Sequence, residues 1–114
     1  MKVLDLTRTI VDALEDKKGE DIILLDVHEL TSFTDYFIIC TGSSNRMLNA
    51  LADGVNEKTR EKYSKKGRLE GSPDAGWMVL DYGDVVVHIF DPELRSYYRL
   101  EELWKDGKIL LRVQ

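Results

Sequence analysis

The sequence predicts an α/β protein in which a mixed β-sheet is flanked by helices. Apolar residues recur at helical spacing in two segments, and four short apolar or β-branched runs have the length of strands. The predicted order is α, β, β, α, β, β, α, α, which places helices on the faces of a sheet. With 114 residues, the chain is expected to form one domain covering residues 1–114.

Two longer helices and two short ones are predicted. The first covers residues 3–16 and is followed by Gly19, which suits the left-handed residue after a helix. The second covers about residues 44–66, with Ser43-Ser44-Asn45 as capping residues and Gly67 at its end. Asp91-Pro92 begins a short third helix. A last helical turn is expected at about residues 100–105.

The predicted strands are of two kinds. Residues 21–27 and 36–41 are nearly continuous apolar runs, which are typical of strands buried on both faces. Residues 77–81 and 84–90 flank Tyr82-Gly83 and predict an antiparallel hairpin. A loop is predicted before the hairpin, with a short strand as an alternative at its start. For the apolar tail at residues 109–113, the sequence predicts no particular conformation.

Charge and hydropathy restrict the classes of partner. There are 16 basic and 21 acidic side chains, which gives a net charge of −5. This charge argues against nucleic acid as the partner, whether bound through its bare backbone or recognised by its sequence, and it favours a basic partner. No apolar run approaches the ~18 residues of a membrane span. The first residues lack the apolar core of a signal peptide. We therefore expect a cytoplasmic protein without membrane contact.

The candidate nucleophile and metal ligands have weak support. Cys40 lies inside an apolar run, so burial should raise its pKa and make it inert; as the one cysteine, it allows no internal disulfide. His28 and His88 lack the spacing of zinc ligands. Neither a metal nor a cofactor is expected. His88 falls late in a strand, where it is either half-buried and hydrogen-bonded or exposed for recognition.

The Gly42-Ser43 turn between a strand and a helix is the candidate phosphate site. Backbone amides at a helix start can bind an anion, but a structural cap explains the same residues more simply. Nucleotidyl transferases combine such a turn with two carboxylates that are separated by one residue and bind metal ions. Here the position two residues after Asp84, where the second carboxylate would stand, is Val86. The sequence thus predicts a nucleotidyltransferase-like scaffold without the catalytic carboxylate pair, and not an enzyme.

Three segments together resemble the ribosomal silencing factor family, also called the Iojap family. They are residues 34–44 (TDYFIICTGSS), residues 70–90, which contain LDYGDVVVHIF, and residues 95–104 (RSYYRLEELW). The resemblance covers roughly residues 4–105, with the segments in order and at compatible spacing. Met47 departs from the family pattern, because many relatives have histidine there.

The resemblance implies a translational repressor. It would bind the large ribosomal subunit through its fourteenth ribosomal protein and sterically block association with the small subunit, lowering translation when nutrients are short. Organelle relatives act in large-subunit assembly, and some members are dimers, so a homodimer is a further implied partner. The alternatives are a large-subunit assembly factor, an active nucleotidyl transferase and a general RNA-binding module.

The predicted partner-binding surface combines the hairpin with the short helix after it. Tryptophan, tyrosine and arginine dominate interface hot spots, and carboxylates would steer a basic partner. The predicted contact residues are Trp77, Asp81, Tyr82, Asp84, His88, Arg95, Tyr97 and Tyr98. About half of the aromatic and arginine residues in this region are expected in the core, with Phe90 and Trp104 foremost.

Overall fold

A computed structural model of the chain describes residues 2–98 and 107–113. The elements in chain order are α1 (Val3–Asp16), β1 (Glu20–Asp26), β2 (Tyr36–Thr41), α2 (Asn45–Tyr63), β3 (Arg68–Ser72), β4 (Trp77–Asp81), β5 (Val85–Phe90), α3 (Pro92–Tyr98) and β6 (Lys108–Val113). This confirms the predicted α/β class. The helical turn predicted at 100–105, with Trp104, lies outside the described residues.

The six strands form one mixed sheet. Their order is β3-β4-β5-β2-β1-β6. β2 and β5 run parallel at the centre, and the neighbouring pairs on either side are antiparallel. The predicted β4–β5 hairpin is therefore confirmed, and the parallel central pair is what makes the sheet mixed.

Helices α1 and α2 cover one face of the sheet. Their apolar stripes follow the helical period, so each helix buries one side and leaves the other in water. The buried residues include Leu6, Ile10 and Leu14 of α1, Leu48, Leu51 and Val55 of α2, and Ile22, Leu24, Ile38, Val87 and Ile89 of the strands. Each such side chain contributes roughly 1.5–3 kcal/mol through burial.

The opposite face of the sheet holds a second apolar cluster. It contains Ile23, Leu25, Val27, Phe37, Ile39, Val86 and Phe90, with Leu94 of α3 packed against it. Successive residues of a strand point to opposite faces. Because both faces are apolar, β1 and β2 read as continuous apolar runs rather than alternating ones.

Two predicted helix ends are wrong in detail. α2 stops at Tyr63, and Ser64 takes the left-handed conformation (φ 54°) in place of Gly67. After α1 the left-handed residue is Lys18 (φ 65°), not Gly19. Space, not φ, explains the glycine at position 19, since a Cβ there would lie 2.5 Å from the Cys40 Sγ.

The two edge strands were not predicted as such. β3 occupies the segment expected to be a loop with an alternative strand, and β6 takes the apolar tail that was given no conformation. Every residue of β3 is exposed, and β6 is exposed except for half-buried Val113. Edge strands lack a consistent buried face, so the local sequence carries a weaker strand signal.

The close approach at residue 19 gives a test of the packing between β2 and the α1–β1 connection. We expect Gly19→Ala to lower the free energy of unfolding by roughly 1–3 kcal/mol, because overpacking forces the Cys40 side chain or the backbone to move. Urea unfolding of the single and double variants measures it. The double variant with Gly19→Ala and Cys40→Ala should lose less unfolding free energy than the sum of the losses in the two single variants. Strictly additive losses would contradict a contact between the two positions.

Candidate partner-binding surface

Hairpin strand β4 presents alternate residues to opposite sides of the sheet. Met78 and Leu80 are buried beneath the helices. Trp77, Val79 and Asp81 are half-buried on the other side, where His88 of β5 lies opposite Val79 in the register. We call Trp77, Val79, Asp81 and His88 the hairpin face. Three predicted contact residues thus share one side of the sheet.

Trp77 and His88 are joined by a hydrogen bond. The indole Nε1–H donates to His88 Nδ1 at 3.2 Å, so the neutral imidazole carries its proton on Nε2. That Nε2 is buried, with no hydrogen-bond partner among residues 2–98 and 107–113, and burial lowers the pKa of His88 to about 4. Of the two interpretations left open by the sequence, the half-buried, hydrogen-bonded histidine is therefore the observed one.

The rings around this pair form a continuous aromatic cluster. The Trp77 and Phe90 centroids are 5.0 Å apart, and the Phe37 ring meets His88 edge-on at 5.1 Å. Phe90 itself is fully buried, which confirms its predicted place in the core. The cluster therefore holds the Trp77 ring against a rigid base.

Sequence reasoning missed Phe33, in the loop before β2. Its ring is 64% exposed and its centroid lies 6.2 Å from that of Phe37. It extends the aromatic cluster to the surface beyond His88. The sequence does contain a signal for this residue: Phe33 is an aromatic residue among turn formers. A loop of polar residues has no local reason to include an aromatic side chain.

The carboxylates lie at the turn of the hairpin, at the other end of β4 from Trp77. Asp81 accepts a hydrogen bond from the Gly83 amide at 2.8 Å and lies 3.6 Å from Arg68, whereas the Asp84 side chain is exposed. Four strand steps separate Trp77 from Asp81, roughly 13 Å. We call Asp81 and Asp84 the acidic tip.

Tyr82 was predicted to bind a partner, but the structure places it inside. Its hydroxyl is 2.7 Å from Asn56 Oδ1 and 2.9 Å from Thr59 Oγ1, and its ring lies against Gly67. Burial raises the pKa of Tyr82. The side chain ties the turn of the hairpin to α2 and supports the acidic tip from below instead of forming part of the surface.

Arg95 is likewise buried, although it too was predicted to face a partner. Its guanidinium donates to Thr41 Oγ1 at 2.8 Å and to the Asp21 carbonyl at 3.0 Å. An arginine is rarely buried unless its donors are bonded in this way. Arg95 therefore fastens α3 to the ends of β1 and β2.

The remaining predicted contacts lie on α3. The Asp91 side chain accepts from the Leu94 amide at 2.8 Å, which confirms the predicted start of this helix. Tyr97 is 77% exposed, and Tyr98 is the last residue of the helix. Of the predicted residues whose exposure the structure describes, Asp84 and Tyr97 are exposed, and Trp77, Asp81 and His88 are half-buried.

The Gly42-Ser43 turn has the geometry of a structural cap. Ser44 Oγ accepts from the Met47 amide at 3.1 Å, and the Gly42 amide donates to the Phe90 carbonyl at 2.8 Å. Leu48 and Leu51 close over Gly42, where a Cβ would meet them within 3.0 Å. Cys40, beside it in β2, is buried, which raises the pKa of its thiol to about 12, as the sequence predicted.

The described part of the chain has neither a cluster of metal ligands nor a helix that could span a membrane. Residues 2–98 and 107–113 contain no group of three or more His, Cys, Asp or Glu side chains arranged to hold a metal ion. Within the same ranges, every helix is too short or too polar to cross a membrane.

The six-stranded mixed sheet with helices packed on it defines a small α/β domain. A family model described as "Ribosomal silencing factor during starvation" matches residues 1–113. The chain therefore belongs to the ribosomal silencing factor family.

Individual relatives agree with this assignment. A ribosomal silencing factor of Chromobacterium violaceum is 42% identical over 108 residues, covering 95% of this chain and 88% of the relative. A crystal structure from the same organism superposes with a TM-score of 0.87 at 39% identity, covering 100% of this chain and 94% of the other. A mouse protein named "Mitochondrial assembly of ribosomal large subunit protein 1" is 31% identical over 98 residues, 83% of this chain but 43% of the mouse protein.

The Tyr82 hydroxyl allows a test of its structural role. We expect Tyr82→Phe to lower the free energy of unfolding by about 1–2 kcal/mol, because it leaves buried groups of Asn56 and Thr59 short of a partner. Chemical denaturation measures it. Tyr36→Phe is the matched control, since the ring of Tyr36 is half-buried and its hydroxyl makes none of the hydrogen bonds found for Tyr82. Equal effects of the two substitutions would contradict the assigned role.

His88 should make stability fall in acid. Its folded-state pKa of about 4 lies below the ordinary 6.5, so the unfolded chain takes up the proton first as pH falls. Between pH 6.5 and 4 the free energy of unfolding should drop by up to ~3 kcal/mol from this group. His88→Gln should flatten that slope.

His28 provides the control for that titration, because its pKa is shifted the other way. Its hydrogen bond to Asp26 raises the pKa of His28, so its contribution is present at low pH and is lost as pH rises. In the His28→Gln variant, denaturation curves should still show the fall in unfolding free energy between pH 6.5 and 4 that is assigned to His88. A wild-type slope that survives in His88→Gln would rule out His88 as its origin.

Proposed function

We propose that this chain is a translational repressor that binds the large ribosomal subunit through its fourteenth ribosomal protein and sterically blocks association with the small subunit. The observation that carries the proposal is the family match over residues 1–113. The net charge of −5 supports it, because an acidic protein is steered toward basic ribosomal proteins.

The hairpin face and the acidic tip are the proposed contact surface. Trp77 supplies aromatic area on a rigid base, as interface hot spots commonly do. Asp81 and Asp84 would meet lysine or arginine of the partner and mainly raise the association rate. Phe33 and Tyr97 offer further exposed aromatic area, while His88, Tyr82 and Arg95 hold the elements of the surface in place. Tyr98, at the end of α3, remains a proposed contact.

The protein acts in this proposal without catalysing a reaction. Val86 is buried in β5 at the position where the second metal-binding carboxylate of a nucleotidyl transferase would stand. Asp84 lies before the strand, in the turn. These positions support a nucleotidyltransferase-like scaffold that lacks the carboxylate pair of two-metal chemistry. Titration calorimetry with Mg-ATP tests the enzymatic alternative; reproducible binding that is lost in Ser43→Ala would favour it.

Large-subunit assembly is the second candidate function. It is favoured by the mouse relative, whose name refers to assembly of the mitochondrial large subunit. Both functions use the same partner, so they differ in the form of the large subunit that is bound. Repression requires binding to mature subunits, and assembly requires binding to their precursors. We propose repression in the cytoplasm by one domain of residues 1–114, which also forms a homodimer.

Charge reversal at the acidic tip tests the contact surface. We expect Asp84→Lys to weaken co-sedimentation with purified large subunits at least tenfold, since it places a cation against a basic partner. Asp53→Lys is the matched control, because Asp53 is also exposed but lies on α2. The loss should shrink as salt rises. Equal affinity of both variants would move the interface away from the hairpin.

Trp77→Ala tests the aromatic part of the same surface. A loss of about 2 kcal/mol or more in binding is expected if Trp77 anchors the contact. Circular dichroism and urea unfolding establish whether the variant remains folded. A folded variant with wild-type affinity would exclude Trp77 from the interface, whatever the result at Asp84.

A further inference from the structure

The negative charge of the whole chain conceals one strongly basic segment. Residues 58–68 contain six basic and one acidic side chain, a local charge of +5, whereas the rest of the chain contains ten basic and twenty acidic side chains. Clustered lysine and arginine is the pattern by which a phosphate-binding surface is recognised. The basic residues of the segment are Lys58, Arg60, Lys62, Lys65, Lys66 and Arg68.

Helix stabilisation accounts for only part of this segment. α2 ends at Tyr63, and cations in its last turn offset the helix dipole. Ser64 then takes the left-handed conformation and caps the helix. Lys65, Lys66 and Arg68 follow this cap. The dipole acts only within the last turn, so it gives no reason for their charges.

The two lysines on the α1 side of α2 already face acidic residues. Lys58 and Lys62 line a groove between the helices together with Asp12 and Asp16 of α1. Lys62 Nζ also lies 3.4 Å from Thr9 Oγ1. The neighbouring carboxylates partly offset these two charges, which makes this side of the helix a poor surface for a polyanion.

The other cations of the segment have no such compensation, with one exception. Arg68 lies 3.6 Å from Asp81. Arg60, Lys65 and Lys66 form no ion pair within residues 2–98 and 107–113. Arg60 and Lys66 are exposed, and Lys65 is half-buried. We call Arg60, Lys65 and Lys66 the basic corner.

The basic corner is fixed beside the turn of the hairpin. The Gly67 amide donates to Asn56 Oδ1 at 2.9 Å, and the Tyr82 ring packs on Gly67, where a Cβ would lie 2.8 Å from it. Arg68 pairs with Asp81 in the register of β3 and β4. The basic corner therefore lies next to the acidic tip and on a backbone that is held in place.

A large ribosomal subunit offers one kind of anion to these cations. In the proposed function the acidic tip meets a basic ribosomal protein, whose positive surface would repel the basic corner. The other component of the subunit is RNA, whose backbone is a dense array of phosphate charges. Arginine binds phosphate through its planar fork and lysine as a point charge.

We propose that Arg60, Lys65 and Lys66 bind backbone phosphates of large-subunit RNA, next to the protein contact made by the hairpin face and the acidic tip. The contact reads no base sequence, because phosphate contacts carry no sequence information. This inference rests on the proposed function and adds a second component of the subunit to what the chain recognises.

Co-sedimentation with purified large subunits at increasing salt tests the basic corner. We expect Arg60→Gln combined with Lys66→Gln to weaken binding at least about fivefold at low salt. The slope of log affinity against log salt should become shallower by roughly 1.5–2, because two phosphate contacts no longer release counterions.

Lys108→Gln combined with Arg112→Gln is the matched control. It also removes one lysine and one arginine, both exposed, but from β6 at the opposite end of the sheet from β3. This control should keep the affinity and the salt slope of the wild-type chain.

Binding to the isolated fourteenth ribosomal protein separates an RNA contact from a protein contact. The variant with Arg60→Gln and Lys66→Gln should bind this protein with wild-type affinity, whereas Asp84→Lys should weaken binding to the protein and to the subunit alike. Equal losses of the basic-corner variant toward both targets would overturn the assignment to RNA. Lys65→Gln combined with Lys66→Gln changes only residues after the helix and repeats the test if the first variant does not fold.

The outcomes keep this inference distinct from the proposed function. A wild-type chain that does not co-sediment with large subunits overturns both. A wild-type chain that binds, with the same affinity and salt slope in both basic-corner variants, overturns only the inference. So does a control variant that loses as much affinity as the basic-corner variants, because the loss would then follow net charge and not position.

Discussion

The parallel pairing of β2 with β5 at the centre of the sheet is the constraint on which the rest of the molecule depends. Two parallel neighbours cannot be joined by a tight turn, so the chain must leave the sheet and return. α2 makes most of that return and packs on the sheet with α1. The same crossing leaves room for the β3–β4 ribbon, which adds to the outer side of β5. The hairpin face is therefore a consequence of how the central pair is connected.

Two buried polar side chains then fix the surface elements to this centre. Tyr82 joins the hairpin turn to α2 through Asn56 and Thr59, and Arg95 joins α3 to the ends of β1 and β2. Both are residue types that commonly anchor interfaces, and both were predicted to do so here. Their hydrogen bonds explain why they are inside: each side chain makes two of them there, which makes burial tolerable.

The local sequence predicts the elements whose buried residues follow a regular pattern along the chain. Sequence patterns alone predict the helices α1 and α2, the two-sided apolar strands β1 and β2, and the β4–β5 hairpin. Strand β3 was predicted only as an alternative to a loop and β6 was not predicted, since their pairing depends on partners distant in the chain. Gly19 and Gly67 were assigned to helix ends because glycine suits them; their actual role, close packing against Cys40 and Tyr82, requires a tertiary neighbour that a sequence window does not contain.

The same limit applies to the contact surface. Residue type favoured Trp77 and Asp84 correctly as surface candidates, but it cannot distinguish them from Tyr82, whose exposure is decided by its position under the turn. The central claim is that binding to the large subunit prevents joining, and light scattering of purified subunits measures it most directly. Preincubating large subunits with this protein before small subunits are added should lower the joining signal, and adding it after joining should do so less. Undiminished joining by large subunits that carry the bound protein would contradict the account.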